Sequence, residues 1–265
     1  MLTRNDQAIP ADVRTETDVR LAAIEAEHGV RLLFAVESGS RAWGFPSPDS
    51  DYDVRFVYVR PRDAYLALTP PRDVIEQPIV DDIDLNGWDI RKALGLLLKS
   101  NAIVGEWIGS PIRYRPDHPV VAQLAALADA VCDPHAVACH YAKLGRTAAG
   151  TWLDGDAPVP VKRYFYALRP ALAIRWMRAH ASRRPPMDLV SLLAGIDLPE
   201  ALVDAIAGLV AAKASTAEQG SMPRVAALDA MIRDELARAS DIPSRAVDAA
   251  AWHRAEALFL ELVNP

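Results

Sequence analysis

Two aspartates stand two residues apart in Ser50-Asp51-Tyr52-Asp53-Val54-Arg55, at the start of an apolar stretch. Residues 51–59, DYDVRFVYV, are rich in Tyr, Val and Phe and read as a strand. Side chains alternate across a strand, so Asp51 and Asp53 share one face and Tyr52 and Val54 the other. Two carboxylates that close on a buried strand repel each other and need a compensating cation. Mg²⁺ (or Mn²⁺) is the natural one, a hard ion with oxygen ligands that sits between carboxylates and substrate phosphates. Asp51 and Asp53 are therefore candidate metal ligands and catalytic residues. Arg55 lies on the same face, where three roles are open to it: pinning a carboxylate, reaching a bound triphosphate, or a structural salt bridge.

Just upstream, Val36-Glu37-Ser38-Gly39-Ser40 ends a short apolar run, RLLFAV at 31–36. Gly39 lets a phosphate approach the backbone, and Ser40 offers a hydroxyl and an N–H. A short helix opening at Ser40 would present its first N–H groups to an anion. A third carboxylate from a neighbouring strand would close the site. VDDIDLNG supplies Asp81, Asp82 and Asp84. Ile83-Asp84-Leu85 has the apolar–acid–apolar pattern of a strand residue that points alone into a site. Asp84 is thus the first choice and Asp82, on the same face, the second. Each motif alone is weak, since most Gly-Ser pairs are turns. Their order is what carries information: Gly-Ser, then Asp-x-Asp, then a strand acid.

These residues need a scaffold. The chain has 265 residues, 51% hydrophobic and 24% charged, enough to bury a core in one large domain or two modest ones. A helix is expected over 15–28, strands over 31–36 and 51–59, and weaker strands over 72–79 and 80–86. Asp89 should cap a helix at IRKALGLLLKS, and a second short helix follows at 102–108. Beyond about residue 117 the pattern is helical: 119–132, 134–150, 160–182, 188–194, 198–215, 222–239 and 246–262. Pro170 should kink or divide the third of these. SPIRYRPDHP reads as a linker. The expected fold is α+β: a mixed sheet with flanking helices in residues 1–115, then an all-helical domain in 116–265.

The formal net charge is −6, so no global footprint for nucleic acid exists and any such contact must be local. Between Asp156 and Asp188 there is no acid, yet Lys162, Arg163, Arg169, Arg175, Arg178, Arg183 and Arg184 all fall there. Lys162, Tyr166 and Arg169 share a helical face. With Tyr164 beside them, the 157–187 patch suits phosphates, as a triphosphate or RNA clamp. A solvated face with partners elsewhere is the plainer alternative. Asn101 reads as a helix stop, Lys99 as a more distant nucleotide contact, and Glu106 as structural. Cys132, His135, Cys139 and His140 lack the paired spacing of zinc ribs. Asp133-Pro134 looks instead like a helix start. Arg175 with His180 is too common a spacing to carry catalysis. Two cysteines fit a reducing compartment. No run spans a membrane and the N-terminus lacks an apolar signal core, so a cytoplasmic location is expected.

The stretch ESGSRAWGFPSPDSDYDVR resembles the signature of the DNA polymerase beta superfamily of nucleotidyltransferases. More narrowly, SGSRAWGF, SDYDVRFVY, GWDIRKALGLLLKSN, EWIGSPIRY and KRYFYALRPALAIRW resemble the predicted nucleotidyltransferases associated with bacterial RNA repair. Glu37, Arg41 and Trp43 belong to that narrower pattern. The resemblance implies a mixed sheet followed by a helical domain, and two-metal catalysis with Asp51 and Asp53 bridging both ions and Asp84 on one of them. It also implies that Gly39, Ser40, Arg41, Arg55, Lys162 and Arg169 meet a nucleoside triphosphate, and that an RNA end is the acceptor. A protein or small-molecule acceptor is the second reading, and a nucleotide-sensing module without turnover is the third.

Overall fold

The computed structural model describes residues 9–150, 152–155, 157–180, 184–215, 220–246 and 249–264. The apolar runs pair into a four-stranded sheet of β1 (Arg31–Glu37), β2 (Tyr52–Val59), β3 (Val74–Glu76) and β4 (Ile83–Asp89). The spatial order is β1-β2-β4-β3. β2 runs antiparallel to β1 and parallel to β4, and β3 closes the other edge antiparallel to β4. The sheet is mixed because residues 60–82 cross over between β2 and β4, as a parallel pair requires.

Each face of the sheet has its own core. On one, α1 (Ala11–His28) sets Leu21 and Ile24 against Ala35, Val54, Phe56, Tyr58, Ile83 and Leu85. The other face receives α4 (Ile90–Leu97), α5 (Ala102–Gly109), α6 (Val120–Val131) and the C-terminal α12 (Ala249–Val263), packed on Leu33, Phe34, Val36, Val57 and Val59. Two five-residue helices, α2 (Gly39–Trp43) and α3 (Arg62–Leu66), lie in the connections after β1 and β2. Asp89 caps α4, its side chain accepting the Arg91 N–H at 2.8 Å. Asn101 is not a stop: its side chain accepts the N–H groups of Ile103 and Val104, so it begins α5. Burial of this doubly covered sheet supplies most of the driving force, and the polar caps define where its helices start.

The expected linker at 110–118 is not free-standing. It lies along β1, with Tyr114 N donating to Ala35 O, His118 N to Leu33 O, and Ile112 O accepting from Glu37 N. The backbone of β1 thus gains partners on its outer edge. Compactness also divides the chain differently from a single cut near 115. One unit holds the sheet with α1, α4, α5, α6 and α12; the other holds Trp43–Ser50 together with residues 132–246. α6 and α12 belong with the sheet because their apolar faces complete its second core.

The second unit contains α7 (Pro134–Ala149), α8 (Val161–Ala179), α9 (Leu189–Ala194), α10 (Glu200–Ser215) and α11 (Ala226–Ala237). Asp133 caps α7 and Pro134 occupies its first turn. α8 continues through Pro170 as one element and is buried along most of its length. A two-stranded ribbon, β5 (Val159–Pro160) with β6 (Ser221–Met222), interrupts the helices. No single described helix is long and apolar enough to cross a membrane.

Gly87 is a point of close approach within the sheet. It pairs with Phe56 across β2 and β4, and a Cβ there would lie 2.0 Å from Phe56 Cε2. Both backbone and ring are enclosed, so neither yields easily. Gly87→Ala should destabilise the protein by roughly 1–3 kcal/mol, read as a lower midpoint in chemical denaturation.

Candidate functional site

Sheet register builds the site. Asp53 and Asp84 are direct neighbours on the parallel strands β2 and β4. Along β4 the buried residues Ile83, Leu85 and Gly87 alternate with the more open Asp84, Asn86 and Trp88. That alternation puts Asp84 on the same face as Asp53 and Arg55. Asp82 stands before β4 in a turn, with positive φ, and Asp81 beside it pairs with Arg20 at 2.7 Å. The structure therefore brings Asp84, and not Asp82, beside Asp53.

Arg55 joins the two acids. Its Nη2 donates to Asp53 Oδ1 at 2.8 Å and to Asp84 Oδ2 at 2.7 Å. Its Nη1 donates to the backbone carbonyls of Asp84 at 2.9 Å and Val54 at 3.1 Å. Of the roles open to it, the geometry is that of pinning carboxylates. Among the described residues no three His, Cys, Asp or Glu side chains gather tightly enough to enclose a metal ion. The acid pair is drawn instead onto the guanidinium, which is itself a cation bound by this donor set. Two carboxylates side by side are hard oxygen ligands of the kind that Mg²⁺ takes together with substrate phosphates, not as a closed protein cage. Asp51 lies one residue before β2, and its carbonyl accepts from Arg41 Nε at 3.1 Å. The Arg41 guanidinium also sits 4.0 Å from the Tyr52 ring centre. Arg41 thus braces the entry to β2.

The end of β1 forms the opposite wall. Asp53 has its N–H on Glu37 Oε1 at 3.0 Å and its carbonyl on Ser38 N at 2.8 Å. Gly39 has φ +58, and a Cβ there would fall 1.9 Å from Asp53 Oδ2. Only glycine combines that left-handed backbone with such close approach to the carboxylate. Ser40 is buried in α2 directly after it. Glu37 is wholly buried and also accepts the Tyr114 hydroxyl at 2.5 Å, while its own carbonyl accepts from Ser110 Oγ at 2.6 Å. Tyr114 and Ser110 had no assigned role in the sequence, although both fall in EWIGSPIRY.

The basic patch belongs to the second unit, and much of it is engaged there. Arg169 is only 3% exposed; its Nε donates to Met187 O at 2.9 Å and its guanidinium lies 4.7 Å from the Trp43 ring centre. Arg175 and Arg178 both bind the fully buried carboxylate of Glu235, at 3.0 and 2.7 Å. Lys162 is half-buried in the first turn of α8, and Tyr166 is 37% exposed. Arg183 lies outside the described residues. Cys139 Sγ is 3.5 Å from His135 Nε2, one helical turn away, and His135 Nδ1 meets Ile242 O.

Burial raises the Glu37 carboxyl from 4.5 to about 8, against the opposing bonds from Tyr114 and the Asp53 N–H. Between those values the folded protein keeps a proton that the unfolded chain has lost. Its contribution to stability is therefore present below 4.5 and disappears as pH rises through about 8. Glu37→Gln preserves an oxygen acceptor for Asp53 and cannot ionise. Thermal midpoints across this window should fall more steeply in wild type than in Glu37→Gln. Parallel curves would mean that Glu37 is already ionised when folded.

Residues 13–261 match the RNA repair pathway DNA polymerase beta family, RlaP. "Uncharacterized protein YcgL" of Bacillus subtilis (strain 168) is 46% identical over 173 residues, covering 65% of this chain and 66% of that protein. The family match takes in the Gly-Ser turn, both strands of the acid pair and the helices beyond, and on it the chain belongs to the RNA repair pathway DNA polymerase beta family.

Proposed function

We propose that the protein is a metal-dependent nucleotidyltransferase that moves a nucleotide from a nucleoside triphosphate onto an acceptor hydroxyl, with an RNA end as the acceptor. The observation that carries this reading is the in-register pair Asp53–Asp84, walled by Gly39 so closely that no side chain fits between. Asp51, Asp53 and Asp84 would hold Mg²⁺ or Mn²⁺. A divalent ion bound there supplies Lewis-acid charge to the reacting phosphate and lowers the pKa of the attacking hydroxyl. The hydroxyl oxygen bonds to the α-phosphorus, the bond to the bridging oxygen breaks, and pyrophosphate leaves. Asp84 is the group assigned to take the hydroxyl proton. Ser40 and its N–H would hold the terminal phosphates. Arg41 acts on Asp51 through its carbonyl.

The RNA acceptor rests on the family's association with RNA repair. The test is incubation of the pure protein, Mg²⁺ or Mn²⁺, each α-labelled nucleoside triphosphate and a pool of short RNAs. Label on RNA supports the reading and names the nucleotide. Label on protein or a small molecule keeps the chemistry and replaces the acceptor. Nucleotide binding without transfer points to a sensing module. Asp51→Asn with Asp53→Asn should lower transfer by at least about a hundredfold while the protein stays folded, because the change removes like charges. Full activity in that double variant overturns the site assignment.

A further inference from the structure

Arg55 is held on all sides by the acid pair and its strands. One nitrogen, Nη2, is shared between Asp53 Oδ1 and Asp84 Oδ2 at 2.8 and 2.7 Å. The other, Nη1, is tied to two backbone carbonyls, of Asp84 and Val54. Swinging the guanidinium away would break both backbone bonds as well as both ion pairs. A guanidinium also keeps its charge at every accessible pH. Each carboxylate gives one oxygen to Arg55. The second oxygen of Asp53, Oδ2, lies against Gly39. The side chains of Arg55 and the two acids are 17% and 27% exposed, so solvent screens their charges less than it would at an open surface.

We propose that Arg55 is the resident counter-ion of the Asp53–Asp84 pair, and that its fixed charge sets how weakly a divalent ion binds beside it. The inference rests on the metal reading under Proposed function. Without an ion, Arg55 cancels the repulsion between two in-register acids and keeps them in place. With an ion, Arg55 remains on its carbonyls and opposes the second positive charge across a short distance. The Asp53–Asp84 pair and Arg55 together leave one negative charge, less than a divalent ion balances. Ion loading is therefore restrained until a triphosphate adds negative charge. Arg55 is a positioning residue here; its guanidinium meets the acids and not the substrate.

The experiment is Mn²⁺ titration of the nucleotide-free full chain, followed by paramagnetic resonance of the free ion. It compares wild type, Arg55→Met, Arg55→Lys and Asp53→Asn, with circular dichroism to establish folding. Arg55→Met should bind Mn²⁺ about tenfold tighter or more, because a like charge is gone. Arg55→Lys, which keeps the charge and loses the fork, should stay within about threefold of wild type. Should Arg55→Met fail to fold, Arg55→Gln, neutral but able to hydrogen-bond, is held to the same tightening. Weaker or unchanged binding in a folded neutral variant overturns the inference and leaves the metal site intact, provided that Asp53→Asn abolishes wild-type binding. Wild-type binding that Asp53→Asn does not touch, or no binding at all, overturns the metal reading and this inference together.

Discussion

Asp53 and Asp84 are placed side by side by backbone hydrogen bonding, and side-chain preference alone would not put them there. Like charges opposite one another on paired strands destabilise a sheet. The pair is tolerated because Arg55, two residues along the same strand as Asp53, reaches both carboxylates at once. Much of the sheet follows from this constraint. Parallel pairing requires a crossover, and residues 60–82 supply it, with α3 and β3 on the way. β4 needs apolar residues on one face to hold the register, which Ile83 and Leu85 provide against the α1 side. A one-residue slip would turn Asp84 into that core and leave Arg55 one acid short.

The wall behind Asp53 obeys a second constraint, backbone satisfaction. At Gly39 the chain leaves β1 in a left-handed turn, and the β1–β2 ladder ends at Glu37–Val54. The next N–H of β2, that of Asp53, points to the same side as the carbonyl that meets Ser38. Left without a partner it would cost about the desolvation of a buried donor. The Glu37 side chain folds over to accept it, and Tyr114 and Ser110 fix Glu37 in turn. Residues 110–118 therefore complete the site from the outer edge of β1.

Much of this was legible in the sequence, and the failures have a common cause. The meeting of Gly39 with Asp53 was legible because their spacing is local, and that of Asp84 with Asp53 because Ile83-Asp84-Leu85 shows strand alternation. Asp89 and Asp133 were read correctly as caps for the same reason: an N-cap acts within three residues. Asn101 was misread because stop and start signals overlap where two helices adjoin. The edge contact of 110–118 was hidden in a Pro-rich stretch with no strand periodicity. The basic run in α8 looked unopposed because its partners are distant: Glu235 lies sixty residues from Arg175, and Arg169 uses the Met187 carbonyl. The return of α12 to the sheet unit is equally non-local, since only its apolar face indicates where it packs.

The buried Glu37 shows what the fold gives up for the site. A carboxyl held neutral by burial contributes less to stability as pH rises through neutrality. An amide would accept the same N–H without that penalty. Only once ionised, as pH rises through about 8, does Glu37 add negative charge beside Asp53, and the Arg41 guanidinium favours that ionised form. Arg55 supplies opposing charge on the same strand face. At neutral pH Asp53 thus stands between the uncharged Glu37, which takes its N–H, and the Arg55 guanidinium, which cancels part of its charge. Below about pH 8 Arg55 therefore faces the charge of the acid pair, while Glu37 acts as the hydrogen-bond partner that fixes the backbone of Asp53.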